Sequence, residues 1–262
     1  MTPPRALIFT DLDGTLLDHA TYDWSAAAPL LDRLTAAGIP VVLASSKTAA
    51  EMVPLRAAMG LSDAPLICEN GAGVVIGGSG MSPDDRSAYW QLRAAIEALP
   101  DAVSAPFEGF ADMGPVRIAE VTGLTREAAR AAAERAFSEP GLWGGNEADQ
   151  AAFLEALAAH GITGRRGGRF LTLSFGGTKA DRMAEIATGY GNPVTIALGD
   201  APNDREMLET ADHGIVIAND HGAPLPELKG EAAGRIRRSA RPGPEGWNKE
   251  LSGLLSDLGI DI

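Results

Sequence analysis

Cysteine is almost missing from this chain of 262 residues, with Cys68 its only example. An intrachain disulfide and a cysteine-built metal cluster are both excluded. Histidine is scarce as well: His19, His160, His213 and His221 are scattered and form no zinc-like spacing. No apolar run reaches the roughly 18 residues of a membrane span. The stretch from Met1 to Arg5 leads straight into a short apolar run, without the longer apolar segment and small-residue cleavage site of a signal peptide. A soluble, cytoplasmic protein is the expectation. Cations are outnumbered, 22 Lys and Arg against 35 Asp and Glu, for a formal net charge of −13. Such a surface repels phosphate backbones and anionic lipid, so neither nucleic acid nor membrane is expected as a partner. An anionic substrate would need a local cation to overcome that field.

What is present is an ordinary globular balance, 45% hydrophobic and 22% charged residues. The length slightly exceeds the roughly 250 residues at which one core stops growing, so one large α/β domain or two modest ones are both open. Ala6 to Phe9 is a continuous apolar run that ends in Asp11-Leu12-Asp13-Gly14, the pattern of a buried parallel strand emptying into a turn. A helix is expected from Ser25 to Ala37, then a strand from Pro40 to Ala44. Thr48 and Glu51 have capping-box spacing for a helix running to about Met59. Leu66 to Cys68 is a third apolar run. Strand and helix alternate again from Thr178: a helix start, a strand from Pro193 to Leu198, a helix from Arg205 to Ala211, and a strand from Gly214 to Ile217. This alternation predicts a Rossmann-like parallel sheet.

Between about Ser82 and Thr172 the texture changes. Helices are expected at Tyr89–Leu99, Thr125–Phe137 and Asp149–His160, and a strand near Arg169–Phe175. We read 82–172 as an inserted α+β domain within a core formed by 1–81 and 173–262, with 77–82 as a hinge candidate.

In an open parallel sheet the carboxyl ends of the strands line one crevice, where ligands bind. Asp11, Asp13, Ser45, Ser46, Lys179, Asp200, Asn203 and Asp204 follow such strands or begin helices, and so are expected to converge. Two carboxylates one residue apart repel each other and favour a cation or a shared proton. Alone, Asp11 and Asp13 fit either a nucleophile with its acid/base partner or a solvated acidic turn. Ser45 and Ser46 could simply start a helix, Lys179 could be an exposed helix lysine, and Asp200 with Asp204 an acidic turn.

Asp11-Leu-Asp13-Gly14-Thr15, the serine after the second strand, the lysine opening a helix and Gly199-Asp200-Ala-Pro-Asn203-Asp204 occur in the order of four motifs. With them the chain resembles the haloacid dehalogenase-like phosphohydrolases across almost its whole length. The resemblance implies an aspartyl-phosphate mechanism, with Asp11 as nucleophile and Asp13 as general acid and base. It implies Mg²⁺ held by the Asp11 carboxylate, the Asp13 main-chain carbonyl and Asp200. Ser45, the amides around Ser46 and Lys179 would hold the phosphoryl oxygens. Asp204 and Asn203 would orient the groups in direct contact. The insert has the position of a C2-type cap and resembles the C2B type.

Several stretches resemble the mannosyl-3-phosphoglycerate phosphatase family more closely. They are Asp18 to Trp24, Ser45 to Met52, Glu69 to Ala72, Ile118 to Leu124, Ser138 to Trp143, and Arg169-Phe170. The implied partner is a small phosphorylated glycoside, 2-O-mannosyl-3-phosphoglycerate. Its carboxylate calls for an arginine, for which Arg169 is the candidate among Arg165, Arg166 and Arg169. Glu139 and Trp143 fit either sugar contacts or packing of the insert. The glucosyl counterpart, a general sugar-phosphate phosphatase, a phosphomutase and a catalytically inert phosphate sensor are the alternatives.

Overall fold

The computed structural model describes residues 3–78, 86–222 and 224–262. Its first sheet begins with β1 (Ala6–Thr10), β2 (Val41–Ala44), β3 (Leu66–Cys68) and a short β4 (Gly73–Val75). Between them lie α1 (Ala28–Ala36) and α2 (Ala49–Ala58). The chain then builds α3 (Ser87–Glu97), α4 (Asp101–Ser104), β5 (Phe107–Gly109), α5 (Phe110–Thr122), α6 (Arg126–Ala133), β6 (Ser138–Trp143), α7 (Glu147–Ala158), β7 (Thr163–Gly167) and β8 (Phe170–Ser174). It returns through α8 (Lys179–Gly189), β9 (Val194–Gly199), α9 (Arg205–Thr210), β10 (His213–Ala218), β11 (Ile236–Pro242) and α10 (Gly243–Asp257).

The first sheet has the order β11-β10-β9-β1-β2-β3-β4, parallel throughout except for β4. β1 is central and all five of its residues are buried. Its side chains alternate between two faces, as a strand's must. Ala6 and Ile8 join a core with Leu30, Leu34, Trp247 and Leu251 from α1 and α10, while Leu7 and Phe9 pack with Met183, Met207 and Leu208 from α8 and α9. Helices on both faces are what a buried parallel sheet requires.

The second sheet is antiparallel, ordered β5-β6-β8-β7. Leu171 and Leu173 of β8 pack with Leu92, Ile96, Phe153 and Leu157 of α3 and α7. Phe170, one residue out of phase, packs against the cluster of Phe110, Ile118, Ala129 and Ala132 from α5 and α6. The α/β expectation, a parallel core with a second α+β layer, matches this architecture. The expected boundary between 81 and 82, and residues 79–82 of the hinge candidate, lie outside the described residues. The other expected boundary, between Thr172 and Leu173, falls inside β8, whose pairing continues to Ser174 opposite Ser138.

Two helices are shorter than the sequence suggests. The first begins at Ala28 because the chain from Trp24 to Ala27 forms a separate turn and Pro29 suits only the first helical turn. α6 stops at Ala133 because the N–H groups of Ala136 and Phe137 donate to the Glu69 carboxylate (2.9 and 3.2 Å) instead of continuing the helix. Cys68 is buried in the core. No helix among the described residues is long and apolar enough to cross a membrane.

Candidate active site

β1 ends in Asp11, whose backbone N–H still bonds to Leu198 of neighbouring β9 (2.9 Å). The chain turns at Gly14, with φ of 81°. A side-chain carbon on Gly14 would stand 3.0 Å from an Asp200 carboxylate oxygen, a tight contact, but it is the positive φ that calls for glycine here. The turn brings Thr15 back so that its hydroxyl donates to Asp200 Oδ1 (2.5 Å). Asn219, just past β10, donates to Asp200 Oδ2 (2.6 Å).

Thr178 caps α8 in a reciprocal box with Asp181, which fixes Lys179 as the first helical residue. The Lys179 ammonium donates to Asp11 Oδ1 (2.6 Å) and Asp204 Oδ1 (2.7 Å). Asp204 is fully buried, and its Oδ2 accepts from the N–H groups of Asp200 (3.2 Å) and Ala201 (3.1 Å). Asp204 therefore locks the loop after β9 and aims Lys179 at Asp11. Asp11, Asp200 and Asp204 bring carboxylate oxygens within 4.8 Å of one another.

The electrostatics follow from crowding like charges in a dry place. Burial is the largest effect on Asp11 and drives its carboxyl well above the usual carboxylate range; Lys179 opposes this, while Asp204 and Asp200 reinforce it. Asp200 is raised too, first by burial and then by Asp204, against hydrogen bonds from Thr15 and Asn219. Burial alone would lower Lys179, but Asp11 and Asp204 outweigh it and hold the ammonium protonated. Three carboxylates thus face one ammonium. That deficit fits a divalent cation held by oxygen ligands.

Ser45 follows β2 and is almost wholly buried, its Oγ accepting from Lys47 N–H (3.3 Å). Ser46 is exposed, and its carbonyl accepts from Arg135 (3.3 Å). Lys47 ties the loop after β2 to the loop after β1, pairing with Asp13 Oδ2 at 2.9 Å and sitting 5.1 Å from the centre of the Tyr22 ring. The other Asp13 oxygen, Oδ1, is buried without a hydrogen-bond partner among the described residues. Asn203 donates to Asn70 Oδ1 (3.1 Å).

The residues expected in the second layer stand differently. Arg169 is exposed and donates to the Val121 carbonyl (2.5 Å). Glu139 is fully buried, accepting from Tyr89 (2.8 Å), the Ala111 N–H (2.9 Å) and Arg93 (3.1 Å). In this structure it meets packing partners. Trp143 stacks on Phe153 and donates to the Asn146 carbonyl. Arg166 is bonded to Gln150, and Arg165 lies 3.8 Å from Glu206.

Sequence reasoning assigned no role to Lys47, Thr15 or Asn219. Asn219 carried a usable signal, because it is a polar residue directly after a buried apolar strand, like Asp11 and Asp200. Lys47 carried none beyond its closeness to Ser45.

The chain matches the haloacid dehalogenase-like hydrolase family over residues 8–84 and 165–225. Among solved structures it is similar to the sucrose-phosphatase of Synechocystis sp. PCC6803, crystallised with sucrose and phosphate. That likeness has 14% identity and a TM-score of 0.61, and it covers 99% of each chain. It is similar to the phosphatase BT1666 of Bacteroides thetaiotaomicron (17% identity, TM-score 0.60, 98% of this chain and 96% of that one). It is also similar to the HAD subclass IIB sugar phosphatase BT4131 (18% identity, TM-score 0.61, 98% of this chain and 100% of that one). At such identities these three likenesses establish the fold. The family match spans more than half of the residues and includes every strand-end group that meets around Lys179, and on that ground the chain belongs to the haloacid dehalogenase-like hydrolases.

Proposed function

We propose that the protein is a divalent-metal-dependent phosphatase of sugar phosphates, with 2-O-mannosyl-3-phosphoglycerate as its substrate and mannosylglycerate and phosphate as products. One observation carries the reading. The Asp11 carboxylate, at the end of the central strand, is gripped at 2.6 Å by a buried lysine and flanked by Asp200 and Asp204.

Asp11 attacks phosphorus in line, forming an aspartyl-phosphate as the bond to the leaving oxygen breaks. Asp13 gives its proton to that oxygen, then takes one from the water that hydrolyses the acyl phosphate. Its unpartnered Oδ1 leaves one oxygen for this exchange while Lys47 orients the other. Lys179 balances charge on Asp11 and, with Ser45 and the amides near Ser46, receives the phosphoryl oxygens. Asp204 and Asn203 position this group. Asp11, Asp200 and the Asp13 carbonyl would hold Mg²⁺, which when bound offsets the repulsion between carboxylate and phosphate. The second sheet and its helices, inserted at about 82–172, form the cap that excludes water.

The finer substrate assignment rests on the resemblance of segments in both layers and on Lys47, a fixed cation beside Asp13 where a leaving group bearing a carboxylate would sit. Arg169 contributes only if it leaves the Val121 carbonyl. The test is phosphate release with Mg²⁺ across 2-O-mannosyl-3-phosphoglycerate, its glucosyl counterpart, mannose 6-phosphate and glucose 6-phosphate, with product analysis. The mannosyl compound should turn over fastest. Equal rates would leave a general sugar phosphatase, a phosphorylated product would make it a mutase, and no turnover of any would end the phosphatase reading.

A further inference from the structure

Between β3 and β4 the chain makes a turn of three residues in succession with positive φ: Glu69 (55°), Asn70 (60°) and Gly71 (93°). Glutamate adopts that region only when its surroundings hold it there. Here the surroundings are the whole site. The Glu69 N–H donates to the Lys47 carbonyl (3.0 Å) and the Asn70 N–H to the Ser45 carbonyl (2.9 Å). Asn70 Oδ1 accepts from Asn203 (3.1 Å), and the Gly71 carbonyl from Arg182 of α8 (3.0 Å). Gly71 also lies so close to Thr178 that a side-chain carbon there would come within 2.1 Å of its carbonyl carbon. One turn thus touches the Ser45 loop, the start of the Lys179 helix and the Asp200 loop.

The Glu69 side chain points the other way, into the second layer, and is completely buried. Its Oε1 accepts from the Ala136 N–H (2.9 Å). Its Oε2 accepts from the Phe137 N–H (3.2 Å) and the Ser138 hydroxyl (2.7 Å), and faces Arg135 at 3.2 Å. Arg135 in turn donates to the Ser46 carbonyl and to Ser138 Oγ (2.7 Å). These four donors lie in the strand entrance that leads into β6. Between Ser174 of β8 and Lys179 of α8 the chain itself joins the two layers. Glu69 adds a noncovalent tether, made of charge-assisted hydrogen bonds away from water.

We propose that Glu69 is a positioning residue, a latch that sets the pose of the second layer relative to the phosphate pocket by binding the 135–138 segment while its own backbone holds the Ser45 loop. The catalytic part of this claim rests on the phosphatase reading; the latch itself does not. A substrate whose leaving group must be covered by the second layer depends on the latch, and a small aryl phosphate does not.

The test uses the full-length protein with Glu69→Gln, which removes the charge facing Arg135 and puts an amide donor among groups that themselves donate, and with Ser138→Ala, which removes one donor and strands no charge. Two measurements are made. Backbone hydrogen exchange at Ala136 and Phe137 should accelerate by about tenfold or more in E69Q, as loss of a charged hydrogen bond would give, with β1 unchanged. The kcat/KM for 2-O-mannosyl-3-phosphoglycerate, or mannose 6-phosphate if the wild type prefers it, should fall by about tenfold or more, against less than about threefold for p-nitrophenyl phosphate. S138A should shift both readings the same way by less. Equal losses on both substrates, or unchanged exchange at 136 and 137, would overturn the proposal. Should E69Q fail to fold, S138A decides alone, and an unaltered substrate ratio in it refutes the latch. A wild-type protein inactive on every phosphate ester would instead refute the phosphatase reading, and the exchange result would still judge the tether.

Discussion

Replacing Lys179 with methionine keeps the length of the side chain and removes the single ammonium that faces three carboxylates. At 2.6 and 2.7 Å, each ion pair has a Coulomb energy of about 6 kcal/mol at an effective dielectric of about 20. Most of that is cancelled by the cost of taking the ions out of water, and removing one member of such a buried group leaves a net loss of about 3–5 kcal/mol. For a chain of this size that loss lowers the melting temperature by roughly 6–20 °C. Differential scanning calorimetry in EDTA at pH 7.5 measures it directly.

The pH dependence carries a sign that checks the cause. Without Lys179, Asp11 loses the neighbour that lowers it, so its folded-state pKa moves further up. A raised folded value gives stability that is present below the unfolded carboxylate range and is lost as pH rises through the folded value. The deficit of K179M should therefore shrink as pH falls from 7.5 towards 5. Mg²⁺ should recover more of the melting temperature in the variant than in the wild type, because the variant has more uncompensated charge to offer it. A K179M protein that melts within about 2 °C of wild type in EDTA would refute the reasoning, because the loss it builds on is about 3–5 kcal/mol.

Asp11→Asn should remove turnover by at least about 1,000-fold while a cooperative thermal transition persists, since the proposed nucleophile is lost and the amide fits the same site. Undiminished turnover would reassign the nucleophile. Asn219→Ala withdraws the donor to Asp200 Oδ2, and Mg²⁺ affinity, read by isothermal titration, should weaken by about tenfold; unchanged affinity would remove Asp200 from the metal's ligands. Cys68 has its thiol pushed up to about 12, chiefly by burial. It should resist a thiol reagent at pH 8 in the native state and react as one thiol per chain in denaturant. Fast native labelling would contradict its burial.

The parallel core was legible because its signals are local. Thr48 and Thr178 each sit three residues before the acid that completes a capping box, and both boxes form. The buried apolar runs of β1 and β9 end at the carboxylates that converge. The second layer hid its strands. Ser138 to Trp143 contains Pro140 and Gly141, which break the usual strand signal, yet β6 lies inside its sheet. Pairing with β5 begins only at Gly141 opposite Gly109, so the missing N–H of Pro140 leaves no β5 partner unpaired. Gly141 is required because a side-chain carbon there would stand 2.5 Å from the Phe107 ring. The basic run from Arg235 to Arg238 shows nothing in sequence of what its arginines bind. Arg235 donates to the carbonyls of Ala211, Glu209 and Lys229, and Arg238 to Glu231 and two further carbonyls. Neither the capture of main-chain oxygens nor the Glu69–Arg135 pair has a spacing that a sequence displays.

The acidity of the chain and the chemistry of the site belong to one electrostatic problem. A net charge of −13 repels a phosphate ester at long range, but salt screens that field beyond about 8 Å. At contact the decisive charges are Asp11, Asp200, Asp204 and Lys179. Burial sharpens every interaction among them, so the carboxylates that repel an incoming phosphate are the same ones that draw a divalent cation. Each ligand lowers the cost of the other, and the coupling must be reciprocal: phosphate tightens metal binding by the factor by which metal tightens phosphate. A site with more lysines would bind phosphate without metal and hold it as product. On the proposed mechanism, three carboxylates to one ammonium would make phosphate affinity conditional on the cation and leave Asp11 free to act as the nucleophile.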